Sequence, residues 1–312
     1  MPCGLKNAGA TYQRLVNHMF REQIGKTMEV YIDDMLIKSK RKVDHAQDLQ
    51  DCFGILQHFG MKLNPAKCTF GVHEGKFVGF MISQRGIEVN PEKIKAILEM
   101  QPPKNIREVQ RLTGRLAALN RFISRSSDRG LPFFKVLKKM ENFQWTSQCQ
   151  EAFEKLKEYL ASPPLLIKPK EGEDLYLYLA TSQGAVSAIL TREEARGHQP
   201  IYYVSKTLQG AEERYPPIEK LAFSLVVAAR KLRHYFQSHL VVVLTNHPLK
   251  RVLEEPNISG RMVKWAVELN EYGIEYLPRP AIKAQVLADF VTELTSEAKE
   301  SDQPWWKLFV DG

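Results

Sequence analysis

The sequence has no long apolar run and no apolar leader. Its longest apolar run, Leu221 to Ala229, is interrupted by Ser224 and stopped by Arg230, far short of the ~20 residues that a membrane span needs. Met1 is not followed by an apolar segment, so the sequence predicts no secretory signal peptide. Both absences argue against a membrane or secreted protein and favour an intracellular one.

Cysteine is also scarce. Four cysteines occur, with no CxxC pair and no regular spacing, which favours a reducing compartment over a disulfide framework. They are Cys3, Cys52, Cys68 and Cys149. The spacing of Cys52, His58, Cys68 and His73 fits no zinc finger, so we expect no structural zinc.

The composition is that of a globular protein with an uneven charge. A chain of 312 residues with 44% hydrophobic and 26% charged residues is long enough for two or three domains. Residues 1 to 140 carry 24 Lys and Arg against 13 Asp and Glu, whereas the remainder carries 20 against 23. This basic excess predicts a polyanionic partner for the N-terminal part, although a charged face also serves solubility.

Two adjacent carboxylates, Asp33 and Asp34, stand between two short apolar runs, Met28 to Ile32 and Met35 to Ile37. The alternation predicts a tight hairpin with the acids at its tip. Because two neighbouring anions repel, a divalent cation is a candidate partner, while an ordinary solvated turn is the alternative.

The segment before this hairpin, from Gly4 to Gln13, predicts a small-residue turn that runs into a helix reaching Phe20. Small residues at Ala8 and Gly9 would let another backbone or a nucleotide approach closely.

Together these two stretches resemble successive motifs of reverse transcriptases, closest to those of gypsy-type retrotransposons with long terminal repeats. The matching residues are Pro2, Gly4, Lys6, Ala8, Gln13, Tyr31, Ile32, Asp33 and Asp34. Two positions depart from the family pattern, since Cys3 stands where Phe is usual and Gly9 where Pro is common.

The resemblance implies RNA-directed DNA synthesis with Mg²⁺ or Mn²⁺, an RNA template, a DNA primer or hybrid duplex, and deoxynucleotides. Asp33 would be the main metal ligand, Asp34 an auxiliary one, and Tyr31 would lie beside the primer terminus. Gly4, Lys6 and Gln13 would shape the nucleotide and template side. The family carries a further Asp and the fingers ahead of these motifs, so we expect no polymerase activity from this chain alone.

A helix predicted from Asp44 to Phe59 would bury one apolar stripe, made of Leu49, Cys52, Phe53, Leu56 and Phe59. Residues 76–82 predict a strand pair around Gly79 that resembles the primer-gripping hairpin of the family, and an ordinary buried strand fits them equally well.

The helix predicted from Ile106 to Phe122 has two faces, one of them apolar. Arg107, Arg111 and Arg115 recur every four residues on the other face, as either a phosphate-contacting ladder or a solvated surface. Arg121, Arg125 and Arg129 extend the same basic character.

In the second half, three strands, a helix and a fourth strand predict a mixed α/β fold. They are Leu175 to Leu179, Ala185 to Leu190, Ile201 to Val204, Ile218 to His234 and Leu240 to Thr245. This half resembles a ribonuclease H-like domain through residues 200–206, 219–220, 245–249 and 288–289.

Ribonuclease H chemistry needs a carboxylate cluster that holds two Mg²⁺ ions. The family's four carboxylate positions fall on Ala180, Glu219, Asn246 and Asp289. Two carboxylates are therefore lost, and we expect this domain to bind or space nucleic acid without cutting it.

The predicted fold class is α+β: a partial palm (1–90) and helical thumb or connection (91–144), then an α/β ribonuclease H-like domain with a mixed sheet (145–294). A linker (295–304) would lead to the first strand of a second ribonuclease H domain (305–312), with Asp311 as its first ligand, as in some plant gypsy-type elements. The chain would be a piece of a retrotransposon Pol polyprotein in the cytoplasm, a virus-like particle or the nucleus. A non-catalytic nucleic-acid-binding remnant is the alternative, and the oligomeric state stays open.

Overall fold

The computed structural model describes residues 4–138, 143–195, 197–255 and 260–279. The chain divides into two compact units, Met1–Asn90 and Pro91–Gly312. None of the helices in the described ranges is long and apolar enough to cross a bilayer. Asp289, Asp311, the predicted linker and the predicted final strand lie outside the described residues.

The first unit contains two helices and two small antiparallel sheets. A two-stranded sheet pairs β1 with β2, and a three-stranded sheet has the order β3-β4-β5. The elements are α1 (Ala8–Met19), β1 (Met28–Tyr31), β2 (Asp34–Ile37), α2 (His45–His58), β3 (Glu74–Phe77), β4 (Phe80–Ser83) and β5 (Ile87–Val89).

The core of this unit lies between the two helices and the first sheet. It contains Val16, Met19, Phe20, Met28, Cys52 and Leu56. Of the predicted buried stripe, Cys52 and Leu56 are buried, but the prediction was wrong for Phe53 and for Phe59, which follows the end of α2: they are 41% and 43% exposed. Positions 52 and 56 lie one turn apart and fill the inner face, so neighbouring positions on this helix point toward solvent.

The second unit is built around a five-stranded mixed sheet with the order β10-β9-β6-β7-β8. β6 pairs antiparallel with β7 and parallel with β9, which is also parallel to β10. Its strands are β6 (Leu175–Thr181), β7 (Ala185–Glu194), β8 (Gly197–Thr207), β9 (Val241–Leu244) and β10 (Ile274–Leu277). Its helices are α3 (Pro91–Leu98), α4 (Ile106–Ala118), α5 (Ser126–Lys138), α6 (Ser147–Ala161), α7 (Pro217–Lys231), α8 (Arg233–Ser238), α9 (Leu249–Glu254) and α10 (Gly260–Leu269).

The predicted mixed α/β fold is confirmed, with one addition. Helix α7 is apolar on most of its surface and lies in the middle of the core, as Leu221, Leu225 and Ala229 show. The fifth strand, β10, was not predicted, because it has only four residues and Glu275 interrupts its apolar positions, so the stretch is too short to stand out in the sequence.

A chain of buried hydroxyls ties α5 to the sheet. The Ser127 N–H donates to Ser205 Oγ on β8 over 3.0 Å, and Ser205 Oγ lies 2.8 Å from Ser187 Oγ on β7. Ser224 Oγ on α7 donates to the Ser187 carbonyl over 2.8 Å. The segments that the sequence analysis separated at residue 144 therefore belong to one compact unit.

Candidate functional site

The acidic hairpin turns through two residues, Ile32 and Asp33, because Tyr31 on β1 pairs with Asp34 on β2. Ile32 has a φ of +50°. A β-branched residue rarely adopts this left-handed conformation, which costs roughly 1 to 2 kcal/mol. Strained turns of this kind persist where the surroundings hold them and cluster at functional sites.

Gln13 on α1 holds the strained turn from behind. Its Oε1 accepts a hydrogen bond from the Ile32 N–H over 2.6 Å, and its Nε2 donates to the Val30 carbonyl over 3.4 Å. Ile32 Cδ1 also lies near Gly9, where a Cβ would be 3.7 Å away, so α1 packs on the turn. Gln13 was predicted to shape the nucleotide and template side; in the structure its amide supports the hairpin backbone.

Replacing Gln13 with Ala is expected to destabilise the hairpin by about 1 to 2 kcal/mol, because the partly buried Ile32 N–H loses its acceptor. Faster hydrogen exchange at the Ile32 amide measures this effect. Thr11→Ala on the exposed side of α1 is the control. Equal protection of the Ile32 amide in both variants would show that Gln13 does not stabilise the turn.

The two carboxylates at the tip have different surroundings. Asp33 and Asp34 are both exposed, and within the described residues no hydrogen bond or ion pair engages Asp33. Burial raises the pKa of Tyr12, and the negative charge of Asp33 adds to the rise, so Tyr12 lies near this carboxylate as a neutral phenol. Asp33 thus keeps both oxygens open to solvent.

Asp34 links the tip to a second hairpin. Its Oδ2 accepts a hydrogen bond from the Val78 N–H over 3.0 Å. Val78 and Gly79 form the two-residue turn between β3 and β4, both with positive φ, and Val78 at +49° is a second strained β-branched residue. This is the hairpin whose sequence resembles the primer-gripping element.

The hairpin tip fits a divalent cation in the chemistry of its donors. Asp33 offers an unengaged carboxylate, and Asp34 retains its other oxygen, which are the hard ligands that Mg²⁺ and Mn²⁺ take. Among the described residues, no group of three or more His, Cys, Asp or Glu gathers anywhere. The tip therefore supplies two ligands of an incomplete site.

The residues at the positions that the resemblance assigns to ribonuclease H chemistry differ in chemical type and in surroundings. Ala180 at the end of β6 is 1% exposed, and Asn246 follows β9. Glu219, in the first turn of α7, accepts a hydrogen bond from Arg261 Nε over 2.7 Å. An apolar side chain, an amide and a carboxylate already paired with Arg do not fit two Mg²⁺ ions.

Two families match separate parts of the chain. Residues 1–82 match the family described as reverse transcriptase (RNA-dependent DNA polymerase), and residues 145–243 match an RNase H-like domain found in reverse transcriptase. The chain holds reverse transcriptase and RNase H-like regions of the kind found in transposon Pol polyproteins. The boundaries of the reverse transcriptase region enclose the acidic hairpin and most of the hairpin bonded to Asp34.

Relatives of the same kind match nearly the whole chain. The Retrovirus-related Pol polyprotein from transposon opus of Drosophila melanogaster is 28% identical over 96% of this chain, and that from transposon 297 is 34% identical over 87%. Transposon Tf2-3 polyprotein of Schizosaccharomyces pombe is 28% identical over 96%. The chain spans 31%, 26% and 23% of these proteins, respectively.

Solved structures share the fold. A foamy viral protease-reverse transcriptase in complex with double-stranded DNA has a TM-score of 0.77 at 22% identity, covering 91% of this chain and 51% of that one. The same kind of protein with an RNA/DNA hybrid has a TM-score of 0.77 at 21% identity, covering 100% of this chain and 42% of that one. At these identities the likeness shows the fold.

The arginine ladder that precedes the RNase H-like region is only partly available. Arg107 and Arg111 are exposed on α4. Arg115 was predicted to lie on the same phosphate-contacting face, but its Nη1 donates to the Ala96 carbonyl over 2.5 Å and ties α4 to α3. Helical periodicity places Arg115 on the same face of α4 as Arg107 and Arg111, but α3 packs against the C-terminal end of that face.

The other predicted basic residues are likewise used by the fold. Arg125 is 6% exposed and pairs with Asp128 over 3.0 Å. The Arg121 guanidinium lies 4.7 Å from the Tyr202 ring centroid, and that of Arg129 lies 4.6 Å from the Tyr159 ring. These three arginines, predicted to extend the basic character of the helix, therefore make contacts within the second unit, and Arg125 is buried there.

Arg279, which lies just beyond β10, was not among the predicted site residues. Its Nη2 donates to the Leu179 carbonyl over 2.6 Å, its Nε to the Leu244 carbonyl over 3.2 Å, and its backbone N–H to Asn246 Oδ1 over 3.0 Å. No motif marks this arginine, because only the unpredicted strand brings it to Ala180 and Asn246.

Proposed function

We propose that this chain supplies part of a two-metal RNA-directed DNA polymerase, with Asp33 as the main metal ligand and Asp34 as an auxiliary ligand. The observation that carries the proposal is the exposed carboxylate pair on a strained turn that Gln13 clamps. The reverse transcriptase family match over residues 1–82 supports it. Structural neighbours that bind double-stranded DNA and an RNA/DNA hybrid support nucleic acid as the partner.

In this proposal the residues of this chain bind the metal ions and hold the metal-binding turn in place. Asp33 and Asp34 would hold Mg²⁺ or Mn²⁺, which supplies activation of the primer 3′-hydroxyl and charge neutralisation on the leaving diphosphate. Gln13 fixes the turn so that the Asp33 carboxylate points outward, and the exposed Tyr31 would lie beside the primer terminus. Gly4 and Lys6, exposed ahead of α1, would contribute to the nucleotide side.

We also propose that the chain does not extend a primer by itself. Two Mg²⁺ ions need more carboxylate oxygens than Asp33 and Asp34 provide, and the described residues gather no third acidic ligand. Primer extension by the purified 312-residue chain with Mg²⁺ or Mn²⁺ tests this. Extension that depends on Asp33 would contradict the proposed inactivity while supporting the proposed site.

The RNase H-like domain is proposed to bind or space nucleic acid without cutting it. Ala180, Asn246 and the Arg261-paired Glu219 do not fit the metal cluster that cleavage requires. The test is incubation of the full chain with a labelled RNA/DNA hybrid in Mg²⁺ or Mn²⁺. Metal-dependent cleavage that survives extensive purification would overturn this part of the proposal.

A non-catalytic nucleic-acid-binding remnant is the second candidate, favoured by the exposed Arg107 and Arg111 on a basic N-terminal part. It predicts binding that weakens with salt and ignores replacement of Asp33. Under the polymerase proposal, binding also has a component that depends on divalent metal and on Asp33.

Replacing Arg107 and Arg111 together with Ala is expected to lower the slope of log Kd against log salt by about two, because each phosphate contact contributes about one. Fluorescence anisotropy of a labelled hybrid duplex measures the slope. Arg115→Ala is the matched control: its guanidinium is used within the fold, so it should lower stability and leave the slope unchanged. A slope that falls only in Arg115→Ala would contradict this assignment.

We further propose the finer family and setting that the motifs favour: a gypsy-type element of the plant kind, with Asp311 in a second RNase H domain, acting in the cytoplasm, a virus-like particle or the nucleus. The run of residues from Pro2 to Gln13 and the Tyr31-Ile32-Asp33-Asp34 stretch support the gypsy-type assignment. Long terminal repeats in the DNA that flanks the coding sequence would test it.

A further inference from the structure

Three neighbouring parallel strands end at one edge of the sheet with their residues in register. Tyr178 on β6 pairs with Leu244 on β9, and Leu244 pairs with Leu277 on β10. Two residues beyond this row stand Ala180, Asn246 and Arg279, one from each strand. The edge where the resemblance places two metal-binding carboxylates therefore carries an arginine from the third strand.

The Arg279 side chain reaches across this edge. Its Nε donates to the Leu244 carbonyl at the end of β9, and its Nη2 extends to the Leu179 carbonyl beside Ala180. The backbone N–H of the same residue donates to the Asn246 side-chain oxygen. One residue thus engages three oxygens at the positions where the acidic cluster would stand.

The groups at this edge of the sheet suit a fixed cation, because they include the backbone carbonyls that accept hydrogen bonds from Arg279. An isolated carboxylate cluster repels itself unless cations neutralise it, whereas carbonyl dipoles at the ends of parallel strands accept hydrogen bonds from a guanidinium. Partial burial lowers the pKa of Arg279, yet an arginine side chain remains charged in proteins. Glu219, the remaining described carboxylate of the set, has its own partner in Arg261.

We infer that Arg279 is a built-in cation that occupies the metal position of the RNase H-like domain, bound to the carbonyls of Leu179 and Leu244. The inference rests on the proposal that this domain does not cut nucleic acid, and it goes further by naming what excludes the metal. Its consequence is that restoring aspartates at 180 and 246 does not restore metal binding while Arg279 is present.

The first test removes the cation. All variants carry Asp33→Asn so that the hairpin of the first unit contributes no metal response, and tryptophan fluorescence follows unfolding because all four tryptophans lie beyond residue 90. Arg279→Ala is expected to lower Tm by about 4 °C, because the two hydrogen bonds that its charged side chain donates to the Leu179 and Leu244 carbonyls are lost, while its backbone N–H is kept. Arg251→Ala, an exposed arginine on α9, should leave Tm within about 1 °C. An unchanged Tm for Arg279→Ala would overturn the inference.

The second test restores the carboxylates. Ala180→Asp with Asn246→Asp should show no rise in Tm with millimolar Mn²⁺, since Arg279 already neutralises the new acids. Adding Arg279→Ala should lower the metal-free Tm and create a Mn²⁺-dependent rise of about 4 °C. An equal Mn²⁺ response with and without Arg279 would overturn the inference, as would no response in either. If the Ala variants fail to fold, Arg279→Gln retains hydrogen bonding without the charge and gives the same comparison.

Failure of this inference is distinguishable from failure of the proposed function. Cleavage of a hybrid by the unmodified chain would refute the non-cutting role, whatever the Tm values are. A Mn²⁺ response independent of Arg279, with no cleavage by the unmodified chain, would refute the built-in cation alone.

Discussion

Replacing Asp33 with Asn is expected to remove the metal-dependent component of nucleic-acid binding. The Kd for a primer–template duplex in Mg²⁺ should rise about tenfold, to the value measured in chelator, which corresponds to about 1.4 kcal/mol. Asn has nearly the same shape as Asp but lacks the charge that holds Mg²⁺. Because Asp33 makes no hydrogen bond or ion pair within the described residues, the variant should fold as the parent does.

The measurement is fluorescence anisotropy of the duplex, titrated with Mg²⁺ and with chelator. Asp51→Asn, at an exposed carboxylate on α2 of the same unit, is the matched control and should leave both Kd values unchanged. An Asp33→Asn variant that keeps the full response to Mg²⁺ would exclude the hairpin as the metal site and leave the binding remnant as the better function.

Asp34 is expected to behave differently from its neighbour. Asp34→Asn keeps an oxygen that accepts from the Val78 N–H, so it should lose part of the metal response and retain the link between the hairpins. Asp34→Ala should lose both, with faster hydrogen exchange at the Val78 amide. Identical exchange at Val78 in the two variants would show that the carboxylate does not hold the second hairpin.

Replacing Asp128 with Ala is expected to lower the free energy of unfolding of the second unit by about 3 kcal/mol. Removing one partner of a buried ion pair typically destabilises a protein by about this amount. The Arg125 side chain is 7% exposed and that of Asp128 17%, so solvent screens the pair only weakly. Asp128 also accepts a hydrogen bond from Ser182 Oγ, which joins α5 to the turn after β6.

Urea unfolding followed by tryptophan fluorescence reports on this unit, because the first unit has no tryptophan. Asp128→Asn keeps the hydrogen bond from Ser182 and removes only the charge, so its loss should be smaller, at about 2 kcal/mol. Ser182→Ala isolates the hydrogen bond at about 1 kcal/mol. A change below about 0.5 kcal/mol in Asp128→Ala would mean that the pair does not stabilise the docking of α5.

The local pattern of apolar and polar residues was sufficient to predict those elements that are determined by residues close together in the sequence. Alternating apolar residues around Asp33 and Asp34 determined the hairpin, and the apolar face of Leu112 and Leu116 determined α4. The loss of acids at positions 180 and 246 is also readable without coordinates, since it needs only the residue types.

Tertiary structure decided how the polar and basic residues are used. Gln13 binds the Ile32 backbone because α1 packs on that turn. The Arg115 side chain is not available on the basic face because it donates a hydrogen bond to Ala96 on α3. Phe53 became exposed because α2 buries a narrow face. Each outcome depends on a neighbour that is distant in sequence, which periodicity along one helix cannot reveal.

The sequence by itself determined the acidic hairpin, the mixed α/β fold and the loss of two carboxylates from the RNase H-like domain. Only the tertiary structure decided what stands in their place, because Arg279 reaches Leu179 through a strand pairing across 100 residues of chain. Side-chain chemistry is local and therefore readable in sequence, whereas the partner of each charge is set by long-range packing.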